Sequence, residues 1–149
     1  MAIAQAICNS FKKQLLEGDA NFTQTTGDQF KLALYQSTAN LSASATAYTS
    51  SGEATDTGSG DYSAGGKKLA KGSQNTSVAS GVAIVDFADL SFTGVTLTAR
   101  GALIYNTSSA VTNAAVAVLD FGGNKTATAG TFTIQFPAFT TSAAILRIS

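Results

Sequence analysis

Histidine and tryptophan are absent from this chain, and cysteine and proline occur once each. Without histidine the commonest general base, proton shuttle and zinc ligand is missing, which weighs against most hydrolytic and zinc-dependent chemistry. The lone cysteine, Cys8, can form no disulfide within the chain. It falls in an apolar pattern, which favours a buried small hydrophobe over a reactive thiol. Charge is scarce too: 12% of residues are charged, where an ordinary soluble domain has roughly 25%. The formal net charge is zero, which argues against a nucleic-acid binder, because neutralising phosphates takes a clustered basic surface. No run approaches the ~18 apolar residues of a membrane span. The first residues lack the basic region and unbroken apolar stretch of a secretory leader. A soluble protein made in the cytosol, with neither a nucleic-acid nor a membrane partner, is the expectation.

At 149 residues the chain has the length of one domain, and 44% hydrophobic residues supply a core without disulfides. With so few ions, the polar surface must be built from Ser, Thr, Asn, Gln and Gly. Hydroxyls and amides cost less to bury than charges, so such a surface desolvates cheaply. A neutral chain also lacks the repulsion that keeps monomers apart. Assembly with neighbours follows as the natural inference.

Ile3, Ile7, Phe11 and Leu15 recur at i, i+4 spacing and predict a helix over residues 2–17, with Gly18 as its C-terminal cap. Lys12 and Lys13 lie toward the negative end of its dipole. That stripe either packs on its own domain or docks a neighbouring subunit. After Gly27 the period changes to 2, and Phe30, Leu32 and Leu34 predict a half-buried strand. Residues 41–48 read as an irregular edge or loop. Residues 49–66 (TSSGEATDTGSGDYSAGG) keep no apolar periodicity, and a connection this long is functional or mobile. Tyr62 is the one large side chain there that could pin it. Strands are expected at 67–71, 76–79, 82–87, 92–99, 102–105, 114–121, 126–136 (one strand, or two split near Gly130) and 145–148. Gly122, Gly123 and Asn124 punctuate them, and Pro137 ends the penultimate one. About seven to nine short strands without interleaved helices predict an antiparallel β-sandwich or jelly roll, preceded by one N-terminal α-helix.

Candidate chemistry is thin. Asp86 and Asp89 in VDFADL, and Asp120 in LDFGG, follow apolar strand residues, where Asp ordinarily ends a strand by accepting backbone N–H bonds. Nothing in their spacing indicates the facing carboxylates of a glycosidase, and a calcium site is a minor reading. Gly65-Gly66-Lys67-Lys68 lacks the Ser or Thr of a phosphate loop and is better read as a turn into a strand. No serine or threonine has a base to activate it. Glycosylation-type triplets begin at Asn21, Asn40, Asn75, Asn106 and Asn124, by chance in a chain so rich in hydroxyls. Lys67, Lys68 and Lys71 either pair with acids of a partner or, as is more usual, form a solvated strand edge. No catalytic residue, cofactor or metal is expected.

The ordered string AIAQAICNSFKKQLLEG, FKLALY, YSAGGKKL, VDFAD, TARGALIYN, VLDFGG and GTFTIQFP resembles small virion structural proteins of tailed bacteriophages. The likeness spans nearly the whole chain. It implies a head decoration (cement) protein with a β-sandwich or jelly-roll fold. Such a protein sits in the virion, commonly as a homotrimer, over joints between copies of the major capsid protein. The candidate interface residues are Ile3, Ile7, Phe11 and Leu15 on the helix and Tyr62 in the loop. A tail, neck or fibre-attachment component is the alternative within virions. A carbohydrate-binding sandwich is a third reading, opposed by the missing tryptophan.

Overall fold

The computed structural model describes residues 2–71 and 76–149, so Asn75, which begins one of the triplets, lies outside the described residues. In chain order the elements are β1 (Ala6–Ile7), α1 (Asn9–Glu17), β2 (Phe30–Tyr35), β3 (Lys67–Lys68), β4 (Thr76–Ala79), β5 (Val82–Val85), β6 (Leu90–Asn106), β7 (Ala114–Ile134) and β8 (Leu146–Ile148). They form a five-stranded sheet ordered β1-β7-β6-β2-β3 and a three-stranded sheet ordered β4-β5-β8. Every strand pair is antiparallel. Neither sheet closes on itself. The protein is therefore mainly β, with one short helix near the N-terminus among the described residues.

The helix begins at Asn9, not at residue 2. Residues 3–8 are extended because their backbone is bonded to neighbours on both sides. Ala4 N–H donates to the Leu41 carbonyl, Cys8 N–H donates to that of Val116, and Ala6 and Ile7 pair with Val118 and Ala117. A spacing of four suits a strand as well as a helix, since four is also two strand periods. Gly18 does end the helix: at φ 73° its N–H bonds the Leu15 carbonyl, and Asp19 N–H bonds that of Gln14.

The strands expected at 92–99 and 102–105 are one strand, β6, and those at 114–121 and 126–136 fuse into β7. What reads as a turn at Gly122–Asn124 is a bulge. Ala99 pairs with Lys125 and Gly101 with Asp120, so β7 spends extra residues there while β6 continues. A second irregularity, on β6, places Gly94 at φ 66° between Phe92 and Val95.

β2 is not half-buried. Leu32, Leu34, Ala33 and Tyr35 are all fully buried, so both faces are covered. On the face of Phe30 lies an aromatic cluster. Phe22 stacks on Phe30 at 4.6 Å, Phe11 meets Phe22 edge-on at 5.9 Å, and Phe87 closes the group 5.6 Å from Phe30. On the face of Tyr35 lies the segment after β2. Tyr48 stacks on Tyr105, and the Tyr35 hydroxyl donates to the Thr49 carbonyl.

Gly65 and Gly66, at φ 91° and 71°, form the turn into β3. A Cβ on Gly66 would lie 1.7 Å from the Leu32 carbonyl oxygen, whereas one on Gly18 meets open space. Gly66→Ala should therefore cost about 3 kcal/mol or more, and Gly18→Ala only about 1–2 kcal/mol for its left-handed backbone. Urea unfolding midpoints of the two variants check this; equal losses would contradict the close approach.

Candidate assembly surface

The five residues marked in the sequence do not form one surface. Ile3 is buried against Gly101, where an added Cβ would lie 2.9 Å from its methyl. Tyr62 is buried too. Ile7, Phe11 and Leu15 do converge, from β1 and α1, and they form one wall of a groove. Ala83 and Val85 of β5, with Leu146 and Ile148 of β8, form the other wall. The groove encloses about 390 Å³ and its lining is overwhelmingly apolar. Lys12 and Arg147 are the charged residues of that lining. Leu16 at its lip is 92% exposed and Ile148 is 60% exposed. Large aliphatic side chains left this open beside an apolar cleft make this the candidate docking surface of the fold.

Leu16 falls outside the i, i+4 stripe, so sequence periodicity assigns it to the polar side. The opposite wall comes from β5 and β8, both distant from α1 in the chain, and is assembled by β8 pairing with β5. Only the fold could assemble it. The small sheet has open edges besides. All four β4 residues are exposed and none is charged, with Val78 at 72% exposure. The Ser80–Gly81 turn, with both residues at positive φ, joins β4 to β5 as a tight two-residue hairpin.

Residues 49–66 belong to the fold. The outer edge of β2 would otherwise expose unpaired backbone, and this segment with its flank completes it. Gln36 N–H donates to the Gly52 carbonyl, Ala54 N–H to that of Leu34, and Leu69 N–H to that of Phe30. Leu34 N–H donates to the Tyr62 hydroxyl at 2.8 Å, which in turn donates to Glu53 Oε1 at 2.7 Å. Glu53 also accepts from Gly65 N–H and from the Tyr48 hydroxyl. Burial first, then Glu53 (by hydrogen bond and charge at Tyr48, by charge at Tyr105), pushes the two phenols up to about 12. They stay neutral and keep donating.

The same segment caps the bulge of β6. Asp56 Oδ1 accepts from Thr96 N–H at 2.8 Å and from Gly58 N–H, while Oδ2 accepts from Gly60 N–H. Asp61 accepts from Thr93 N–H at 2.7 Å and pairs with Lys67. Backbone N–H donors, Thr96 first, hold the Asp56 carboxyl below its usual range, and the Lys67 hydrogen bond chiefly does so for Asp61.

The remaining singled-out acids sit at separate backbone tasks. Asp89 accepts from Phe136 N–H. Asp120 accepts from Gly122 N–H and pairs with Arg100 at 2.9 Å. Burial raises Asp86 above its ordinary range against the opposing Phe87 backbone hydrogen bond, and the Asp89 charge adds a smaller push upward. Cys8 is fully buried, and burial pushes its thiol up to about 11 against the opposing Lys12 charge. Among the described residues no three metal-type side chains converge, and no helix is long and apolar enough to cross a membrane.

Tyr62→Phe removes the acceptor of the buried Leu34 N–H and should cost about 1–3 kcal/mol. Glu53→Ala strands three donors and should cost about 3 kcal/mol; chemical denaturation measures both. For Asp56 and Asp61 a lowered folded-state value means stability that is complete above the unfolded value of about 3.9 and lost as pH falls through the folded one. Acid should thus weaken the protein below about pH 4. The stability gap between wild type and Asp56→Asn should narrow over that window; a gap that widens on acidification would contradict the assignment.

No family model, curated protein or solved structure matches the chain.

Proposed function

We propose that this chain is a non-enzymatic structural protein of a tailed-phage virion, a head decoration (cement) protein made in the host cytoplasm and incorporated into the particle. The observation that carries the reading is the apolar groove between α1 and β8, with Leu16 and Ile148 exposed beside it. The charge-poor surface around it supports the same reading, because few ions would have to be desolvated on docking. We read the two sheets as an open β-sandwich, since Leu146 of the small sheet and Phe87 beside it share one buried core with β2, β6 and β7. The partners are the major capsid protein and further copies of this chain, for which the resemblance implies a trimer.

Mechanically, a cement protein adds buried area across the boundary between two shell subunits. A standard interface buries ~1,600 Å², and symmetry repeats that contact around the shell. Outward pressure on the shell must then break the added contacts as well.

Purified protein added to decoration-free shells of the phage that encodes it should bind on the order of hundreds of copies per particle, as shell symmetry requires. The shells should then disrupt at a higher temperature. Quantitative mass spectrometry of the particles gives the copy number. A handful of copies, confined to one vertex, would replace this reading with the tail or neck component. Absence from particles together with glycan binding would overturn it.

A further inference from the structure

The helix that forms one wall of the groove also carries what the groove lacks. Leu16 stands almost wholly in solvent at the lip, one turn beyond Lys12 on the same stripe of α1. The next stripe carries Lys13 and Glu17, which pair with each other at 3.0 Å while both remain exposed. The charges on this face are therefore ordered along the axis, with cations in the first half of α1 and an anion at its end. Such an order is complementary to its own reverse: two copies of α1 running antiparallel set Glu17 of each against the lysines of the other. Lys12 Nζ donates to the Asn9 side chain, and Arg147, across the groove, donates to the Thr141 and Ser142 carbonyls. Neither cation forms an ion pair among the described residues. A net charge of zero means that no overall charge repulsion opposes the approach of a second copy.

We propose that the groove between α1 and β8 is a self-association site, filled about a twofold axis by α1 of a second copy. Leu16 of each copy enters the other's groove, against Leu15 and Ile148, and Glu17 meets the other's Lys12 and Lys13. The contact is isologous, because each helix is at once wall and occupant. This deepens the assembly reading of the same groove and rests on it. It differs from the trimer that the resemblance implies, since an antiparallel helix pair has twofold symmetry.

The experiment is sedimentation equilibrium of the full chain over a wide concentration range. Wild type should reach twice the monomer mass, and Leu16→Arg, at an exposed position that leaves the core intact, should weaken association by at least about tenfold. The discriminating pair is Glu17→Lys and the double variant Lys12→Glu, Lys13→Glu. In each alone, like charges face across the axis and self-association should be lost. Mixed in equal amounts, the two carry opposite charges on the two helices and should form a heterodimer. That rescue also excludes misfolding as the cause of the losses. Wild type that stays monomeric at every concentration would overturn the proposal, as would wild type that assembles equally well with all these substitutions. A monomer that nonetheless binds shells, and stops doing so on Leu16→Arg, would overturn the second-copy assignment while leaving the virion reading standing, with a shell subunit as the occupant.

Discussion

The Glu53 carboxylate is the contact on which the rest of this structure leans. It gathers the Tyr48 and Tyr62 hydroxyls and the Gly65 N–H, and through them it holds a long glycine- and hydroxyl-rich segment flat against the sheet. A segment of that composition has little apolar surface with which to offset its conformational entropy. It stays ordered because its donors and acceptors bond backbone groups that would otherwise be orphaned. The edge of β2 and the bulge of β6 are those groups. All four tyrosines of the chain serve the arrangement: the Tyr35 and Tyr105 hydroxyls donate to the Thr49 and Gly65 carbonyls.

Closing one edge so thoroughly throws the open places into relief. β3 and the 49–66 segment cover β2, and the N-terminal residues cover β7 through β1. The small sheet has no such cover: β4 is exposed and uncharged, and β8 borders the apolar groove. Exposed strand edges are commonly guarded by lysine or proline. In β4 neither is present, and in β8 the guard is Arg147 alone. The asymmetry between a sealed large sheet and an open small one is the physical basis for treating the α1–β8 side as the face that meets neighbours.

Much of the strand content was legible because it rests on period-2 alternation, as in Val95, Leu97 and Ala99, whose side chains all reach the core. The Gly18 cap was legible because a left-handed residue leaves few choices. Other features were not. The 3–15 spacing fits a strand followed by a helix as well as one helix, and only the bonds from residues 4–8 to Leu41 and Val116 decide between them. Glycines at 122 and 123 mark a bulge as readily as a turn, and the choice depends on whether β6 continues alongside. Asp56 caps the nearby Gly58 and Gly60 N–H groups, but the bonds from Asp56 and Asp61 to amides 32 to 40 residues away, which hold the β6 bulge, leave no local signature. Leu16 falls outside the apolar stripe that the sequence reading follows, and its groove exists only once β8 is in place.

The most direct test of this account is native-state hydrogen exchange, read at single amides, on wild type and on Glu53→Ala. If the segment is a fixed part of the sheet, the amides of Leu34, Ala54, Thr93 and Thr96 are protected in wild type. In Glu53→Ala they should lose protection together, while Leu103 and Val116 in the β6–β7 core stay slow. Rapid exchange of the first four amides in wild type, or their unchanged protection in Glu53→Ala, would contradict it.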